Sequence, residues 1–328
     1  GTGSSPLSVT GVGFKPDFLW LKRINGGTNG HNILYDSSRG GTNALRSSTA
    51  GAEAQFGDMV ITYESDGFSF TGTDGLNNSN SYSNVAWSWK ANGGTTSSNG
   101  NGSITSTVQA NTKAGFSIVL YTGTGANATI GHGLGVTPSM VIYKIRDVGT
   151  SWAVWHKEFD TPTTQLLELN GTGSTLSSAS YWNSTLPNST VLSVGTYGGV
   201  NTNGSAHLAY CFADIDGYSK FGSYIGFGGS DGGYIYTGFK PTFLLIKRKD
   251  SSNYWLILDN KRDTLNPNTR GLYANLSDAE NTFGNGTGID FLSNGFKLRD
   301  SVASVNSQGG EYIYMAFAEA PFKYANAG

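Results

Sequence analysis

The chain has 328 residues, with 47 glycines, 12% aromatic and 13% charged residues, and a formal net charge of −2. That balance, without clustered Lys and Arg, excludes a nucleic-acid surface, which needs basic residues to neutralise phosphates. No apolar run of about 18 residues exists, so no helical membrane insertion is encoded, and the Gly, Ser, Thr and Asn content describes an all-β chain of short strands and many turns.

In chain order, the first informative stretch is Phe14-Lys15-Pro16-Asp17-Phe18-Leu19-Trp20-Leu21-Lys22-Arg23, a Pro corner leading into a continuous apolar strand that ends in basic residues. It returns as Val136-Thr137-Pro138-Ser139-Met140-Val141-Ile142-Tyr143-Lys144 and as Phe239-Lys240-Pro241-Thr242-Phe243-Leu244-Leu245-Ile246-Lys247-Arg248. A repeat of about 100 residues is too long for a solenoid turn and long enough for each copy to own a core. The expectation is three tandem antiparallel β-sandwich, jelly-roll-like units over residues 1–92, 115–216 and 217–328, with 93–114 a flexible Gly/Ser/Thr-rich linker and lead-in strand. Each unit ends on a strand in which bulky and small residues alternate, Val85 to Lys90, Leu208 to Ala213 and Ile313 to Ala318. An Asn-built turn precedes each of them: Leu76-Asn77-Asn78-Ser79, Val200-Asn201-Thr202-Asn203-Gly204 and Val305-Asn306-Ser307-Gln308-Gly309.

Gly1-Thr2-Gly3 matches Gly123-Thr124-Gly125, so the first unit lacks a counterpart of the opening strand Phe116 to Tyr121 and a longer parent chain is expected. Asp36 and Arg39 match Asp259 and Arg262, which reads as an ion-paired turn, and Ala52-Glu53 matches Ala279-Glu280. Ser65-Asp66-Gly67-Phe68 and Ser293-Asn294-Gly295-Phe296 predict hairpins. The best helical candidates are short, Ala44 to Gln55 and Gly271 to Asn281. The connection between the second and third units is short, so those two should be closely apposed and the first more independent.

The middle unit places Tyr181, Trp182 and Asn183 in a polar, turn-rich segment without partners in the other units. Rings that stack on the C–H face of a sugar, beside amides that read hydroxyls, make these residues, with Asn201 and Asn203, the glycan-binding candidates. Trp152 and Trp255 occupy matching positions and read as scaffold, and the single Cys211 as a small core residue. No nucleophile elbow, His-Glu-x-x-His helix or phosphate loop is present, and His31, His132, His156 and His207 stand at unmatched offsets. No catalytic residue, metal or cofactor is therefore expected. Asp214-Ile215-Asp216-Gly217 is a calcium-loop fragment without the later Glu. Asp259, Asp263, Asp278 and Glu280 form the densest acidic group, the one place where a polysaccharide depolymerase would find paired carboxylates.

The phrases Gly102-Ser103-Ile104-Thr105-Ser106-Thr107-Val108, Ala114-Gly115-Phe116-Ser117-Ile118-Val119 and Gly131-His132-Gly133-Leu134-Gly135-Val136-Thr137-Pro138 resemble repeat modules of bacteriophage virion proteins, notably tail-fibre-like proteins of marine phages. The ending Tyr314 to Ala327 is similar to the C-terminal tail of such proteins. The resemblance implies an exposed part of a virion appendage, with other virion proteins and a host cell-surface glycan as partners, a homotrimer by analogy with fibres, and no catalytic motif. A structural spacer or capsid-decoration protein is the alternative expectation, and a depolymerase a second.

Overall fold

The computed structural model of the chain describes residues 2, 4–25, 30–72, 78, 82–282 and 288–319. Gly1, Gly3, Leu76, Asn77, Ser79 and the tail from Ala320 onward, all used above, lie outside the described residues. The first stretch carries strands β1 (Leu7–Thr10), β2 (Phe18–Arg23), β3 (Asn32–Asp36), β4 (Gly40–Arg46), β5 (Val60–Glu64), β6 (Gly67–Thr71) and β7 (Asn84–Trp89). The second carries β8 (Ser97–Asn99), β9 (Ser106–Asn111), β10 (Phe116–Thr122), β11 (Ala128–Gly131), β12 (Met140–Ile145), β13 (Ala153–His156), β14 (Gln165–Glu168), β15 (Leu176–Ser177), helical turn α1 (Ala179–Trp182), β16 (Val191–Val194), helical turn α2 (Gly198–Asn201) and β17 (Ala206–Phe212). The last carries β18 (Ser219–Ile225), β19 (Tyr234–Tyr236), β20 (Phe243–Arg248), β21 (Trp255–Asp259), β22 (Arg270–Tyr273), β23 (Asn281–Thr282), β24 (Ile289–Leu292), β25 (Gly295–Leu298) and β26 (Glu311–Phe317).

The chain is all-β, and among the described residues the named strands pair antiparallel, with one isolated parallel bridge between Ile104 and Ile130. A large sheet faces a small one in each stretch: β4-β3-β2-β7 with β1-β6-β5, then β15-β14-β13-β12-β17-β10-β9-β8 with β11-β16, then β18-β26-β20-β21-β22-β23 with β19-β25-β24. The apolar strands after each Pro corner, β2, β12 and β20, lie inside their sheets and are buried on both faces, which is why they read as continuous rather than alternating. One face supplies a core between each large sheet and its small partner, around Leu19 and Phe68, Val141 and Leu192, and Leu244 and Phe296. The other face, with Phe18, Trp20, Met140, Ile142, Phe243 and Leu245, meets in a single aromatic centre shared by all three large sheets.

Hydrogen bonds pass round that centre, backbone amides donating in one sense and side chains in the other. Glu53 N donates to Arg146 O (2.8 Å), Thr175 N to Lys249 O (2.8 Å) and Glu280 N to Ile24 O (2.9 Å). Trp152 Nε1 donates to Arg46 O (2.9 Å), Trp255 Nε1 to Glu168 O (2.9 Å), and Asn32, standing where the other sheets have Trp, donates to Tyr273 O (2.8 Å). The buried ammonium groups of Lys22, Lys144 and Lys247 likewise reach Leu276 O, Ala50 O and Thr172 O of the neighbouring sheets. Burial lowers these lysines to about 7, 8 and 8.

The Asp–Arg turns form as expected but are more buried than an ordinary loop clasp. Arg39 pairs with Asp36 (2.5 Å) and Glu53 (2.6 Å), and Arg262 pairs with Asp259 (2.6 Å) and Glu280. The Asp66 and Asn294 hairpins join β5 to β6 and β24 to β25. Trp152, Trp255 and Cys211 are buried scaffold.

Three expectations are corrected. Ala44 to Gln55 and Gly271 to Asn281 are not helical; Ala44 and Leu45 lie at the end of β4, Leu272 and Tyr273 at the end of β22, and turns and irregular chain follow each strand. In the 93–114 stretch the lead-in strand forms as β9, but the part before it is no loose tether: β8 pairs with β9 to extend the second large sheet, and Gln109 accepts from Asn92 N (3.2 Å) and Gly94 N (2.9 Å). The first stretch is not independent, because Phe18, Trp87 and Trp89 belong to the shared centre.

Candidate functional site

The structure takes the leading glycan candidates out of contact with solvent. Trp182 is 2% exposed, with its ring 5.0 Å from that of Tyr143 and its Nε1 donating to Gln165 O (2.9 Å). Tyr181 stacks on Tyr197 at 4.1 Å. A ring with both faces packed offers nothing to a sugar, so these two are core residues, recruited by α1 onto the second small sheet. Asn201 is fully buried and accepts from Thr124 N (2.8 Å) while donating to Ala126 O (2.6 Å) and Gly195 O (2.8 Å). Asn306 does the same with Phe227 N, Gly229 O and Asp300 O, and Asn78 with Thr2 N, Ser4 O and Gly72 O. These amides clamp the chain where it leaves a large sheet. Asn183 and Asn203 remain exposed.

Three of the four acidic residues are likewise scaffold: Asp259 accepts from Trp87 Nε1 (3.1 Å), Asp263 from Thr269 N (2.8 Å), and Glu280 holds Arg262, while Asp278 is exposed. Among the described residues no three His, Cys, Asp or Glu side chains converge as a metal site.

Exposed rings gather instead on the third small sheet. The edge strand β19 alternates out, in, out: Tyr234 is 45% and Tyr236 64% exposed, while Ile235 between them enters the core. Gly295 leaves room for the Tyr234 ring, since a Cβ there would stand 2.8 Å from its hydroxyl, and that hydroxyl donates to Asn294. Phe227, 56% exposed, lies over Gly233, where any Cβ would strike its ring. Across the sheet Lys297 stands opposite Tyr234, bridging to Asp231 (2.6 Å), which Arg299 also holds (2.9 Å). Hydrogen bonding from Lys297, before any other influence, keeps the Asp231 carboxyl below its ordinary range.

A family model described as a domain of unknown function (DUF7483) matches residues 1–321. The chain belongs to that family. No curated protein and no solved structure matches it.

In this DUF7483 chain Tyr236 also walls a cleft of ≈ 320 Å³ whose other side is Asp214, Asp216, Ser219 and Lys220. The calcium-loop fragment thus lines the cleft, but Asp214 is committed to Lys157 and to Phe221 N (2.8 Å). Asp216 is exposed. The volume sits at the low end of small-ligand sites, about 300–1,000 Å³. An aromatic wall facing a carboxylate and an amine can stack on a C–H face and exchange hydrogen bonds with hydroxyls. Sequence reading missed this place; the signal was Tyr-Ile-Tyr itself, a strand with its large rings on alternate positions beside a Gly-Gly pair.

Proposed function

We propose that this chain is a non-catalytic recognition module of a bacteriophage virion appendage, displayed on the particle surface, which holds a host cell-surface glycan against Tyr234 and Tyr236. The observation that carries the reading is the pair of tyrosine rings presented to solvent from one edge strand, beside a cleft edged by Asp216 and Lys220. The resemblance of the repeat phrases to tail-fibre-like proteins supplies the setting, with other virion proteins as neighbours. Weak sites of this kind gain strength when several copies share one particle.

The test is binding of the purified chain to an array of bacterial surface polysaccharides, followed by titration of each hit. Tyr236→Ala is expected to weaken binding at least tenfold, about 1.4 kcal/mol, with an unchanged circular dichroism spectrum. Asn183→Ala, on the exposed loop after α1, is expected to leave binding unchanged. A folded chain that binds no polysaccharide overturns the reading in favour of a spacer or decoration protein, and release of oligosaccharides from a bound polymer overturns it in favour of a depolymerase.

A further inference from the structure

The exposed rings at the third small sheet are not required by the backbone that carries them. Phe227 N donates to Asn306 Oδ1 (2.6 Å), and the next amide, Gly228 N, to Asn306 O (3.0 Å). In the second stretch Thr124 N donates to Asn201 Oδ1 (2.8 Å) and Gly125 N to Asn201 O (2.8 Å). A threonine thus fills the station that holds Phe227. The strand β19 repeats the pattern. Ile235 opposite Phe296 and Tyr236 opposite Gly295 share the register of Val9 opposite Phe68 and Thr10 opposite Gly67. Exposed Ser8 and Thr10 therefore stand in the first small sheet where Tyr234 and Tyr236 stand in the third. Large rings at all three places, with Phe227 56% exposed, leave apolar surface in water and fill no core, which marks a contact surface.

Each ring is laid over a glycine. A Cβ on Gly233 would stand 1.9 Å from the Phe227 ring, one on Gly295 2.8 Å from the Tyr234 hydroxyl, and one on Gly238 3.6 Å from that of Tyr236. Bare backbone lets the rings lie along the sheet instead of standing off it. Their order follows the strand: Phe227 over Gly233, then Tyr234 beside it, then Tyr236 about 7 Å further on. The loop that carries Phe227 is fastened before any ligand arrives, because its Asp231 is held by Lys297 (2.6 Å) and Arg299 (2.9 Å) of the neighbouring strand and its extension. Arg299 also holds Asp290 (2.8 Å), so two cations and two carboxylates beside the rings satisfy one another. The strip offers ring faces and hydroxyls, and no net charge.

Resting on the recognition role given above to the two tyrosines, we propose that Phe227 is a third station of that site and that its ligand is a neutral, linear polysaccharide. An internal stretch of the polymer lies along β19, from the Phe227 ring across Tyr234 to Tyr236. Phe227 supplies stacking on a C–H face alone, while the tyrosines add hydroxyls that exchange hydrogen bonds with the sugar. One sugar covers one ring, so affinity grows with chain length until all three are spanned. A charged polymer gains nothing at ion pairs that are already complete.

The chain is run by affinity electrophoresis through gels holding the bacterial polysaccharides of the array, with laminarin and dextran as further neutral polymers and alginate and polygalacturonate as acidic ones. Retardation by a neutral polymer, unchanged at high salt, is expected. Oligosaccharides of increasing length from that polymer are then titrated by calorimetry. Phe227→Thr, which installs the residue found at the matching clamp, is expected to weaken the longest at least tenfold and the shortest that binds not at all, at an unchanged unfolding midpoint. If Tyr236→Ala weakens the longest oligosaccharide and Phe227→Thr does not, the third station is overturned and the tyrosine site stands. Retardation by acidic polymers only, abolished by salt, or full affinity for a single sugar, overturns the ligand class while leaving that site in place. Binding that neither substitution changes, or no binding to any polymer, overturns the tyrosine site and this extension of it together.

Discussion

His156 shows how much one position in the ring of contacts asks of its side chain. Its Nδ1 accepts from Glu158 N (3.2 Å), which leaves Nε2–H to donate to Tyr314 O (3.4 Å), so only the neutral imidazole fits. Burial pulls its pKa from 6.5 down to about 3. His207, stacked on Tyr121, is pulled by burial to about 4. The unfolded chain takes up these protons below about pH 6.5 while the folded one refuses them, so the stability they protect is complete above that pH and is lost as pH falls toward 3. Each such histidine is expected to remove about 1.4 kcal/mol per pH unit across that window. Urea unfolding at pH 7, 5.5 and 4.5 should show the loss, and His156→Gln should make it shallower; a pH-independent midpoint would refute the assignment. At this scale the sequence was least legible. Trp182 sat among polar neighbours and looked available, because Tyr143 and the Gln165 carbonyl that claim it are remote in the chain. Asn201 looked like a turn former, because the carbonyls of Ala126 and Gly195 that fill its amide are brought to it only by the fold.

At the scale of elements much more could be read. The Pro corners, the uninterrupted apolar strands behind them and the Asp-Gly and Asn-Gly hairpins carry their geometry locally, and each appears where its residues put it. What could not be read was which face of those strands looked outward, since β2, β12 and β20 are apolar on both. Trp89 illustrates the consequence. The alternation around it predicts a buried ring, but its partners Phe243 and Phe317, each 5.6 Å away, lie on other sheets. Trp89→Ala therefore empties a place in the common centre and is expected to cost about 3–5 kcal/mol by urea unfolding. Loss confined to the first stretch, seen as a second transition, would contradict a shared centre.

For the whole molecule the expectation is one cooperative unfolding event. Repeats of about 100 residues with private cores would melt separately, but here every large sheet hands hydrogen bonds to the next and all three close over one aromatic centre. Differential scanning calorimetry should give a single peak whose calorimetric and van't Hoff enthalpies agree; two resolved peaks would overturn this. The closed circuit of contacts also changes what a substitution does. In an assembly of three identical chains every mutation is made three times, and its cost is tripled where the sites are independent. In this chain the three stations are spelled separately, so the position holding Asp36 and Asp259 in two sheets can hold His156 in the other, and a surface such as the Tyr234–Tyr236 strand can specialise while its two counterparts keep to architecture.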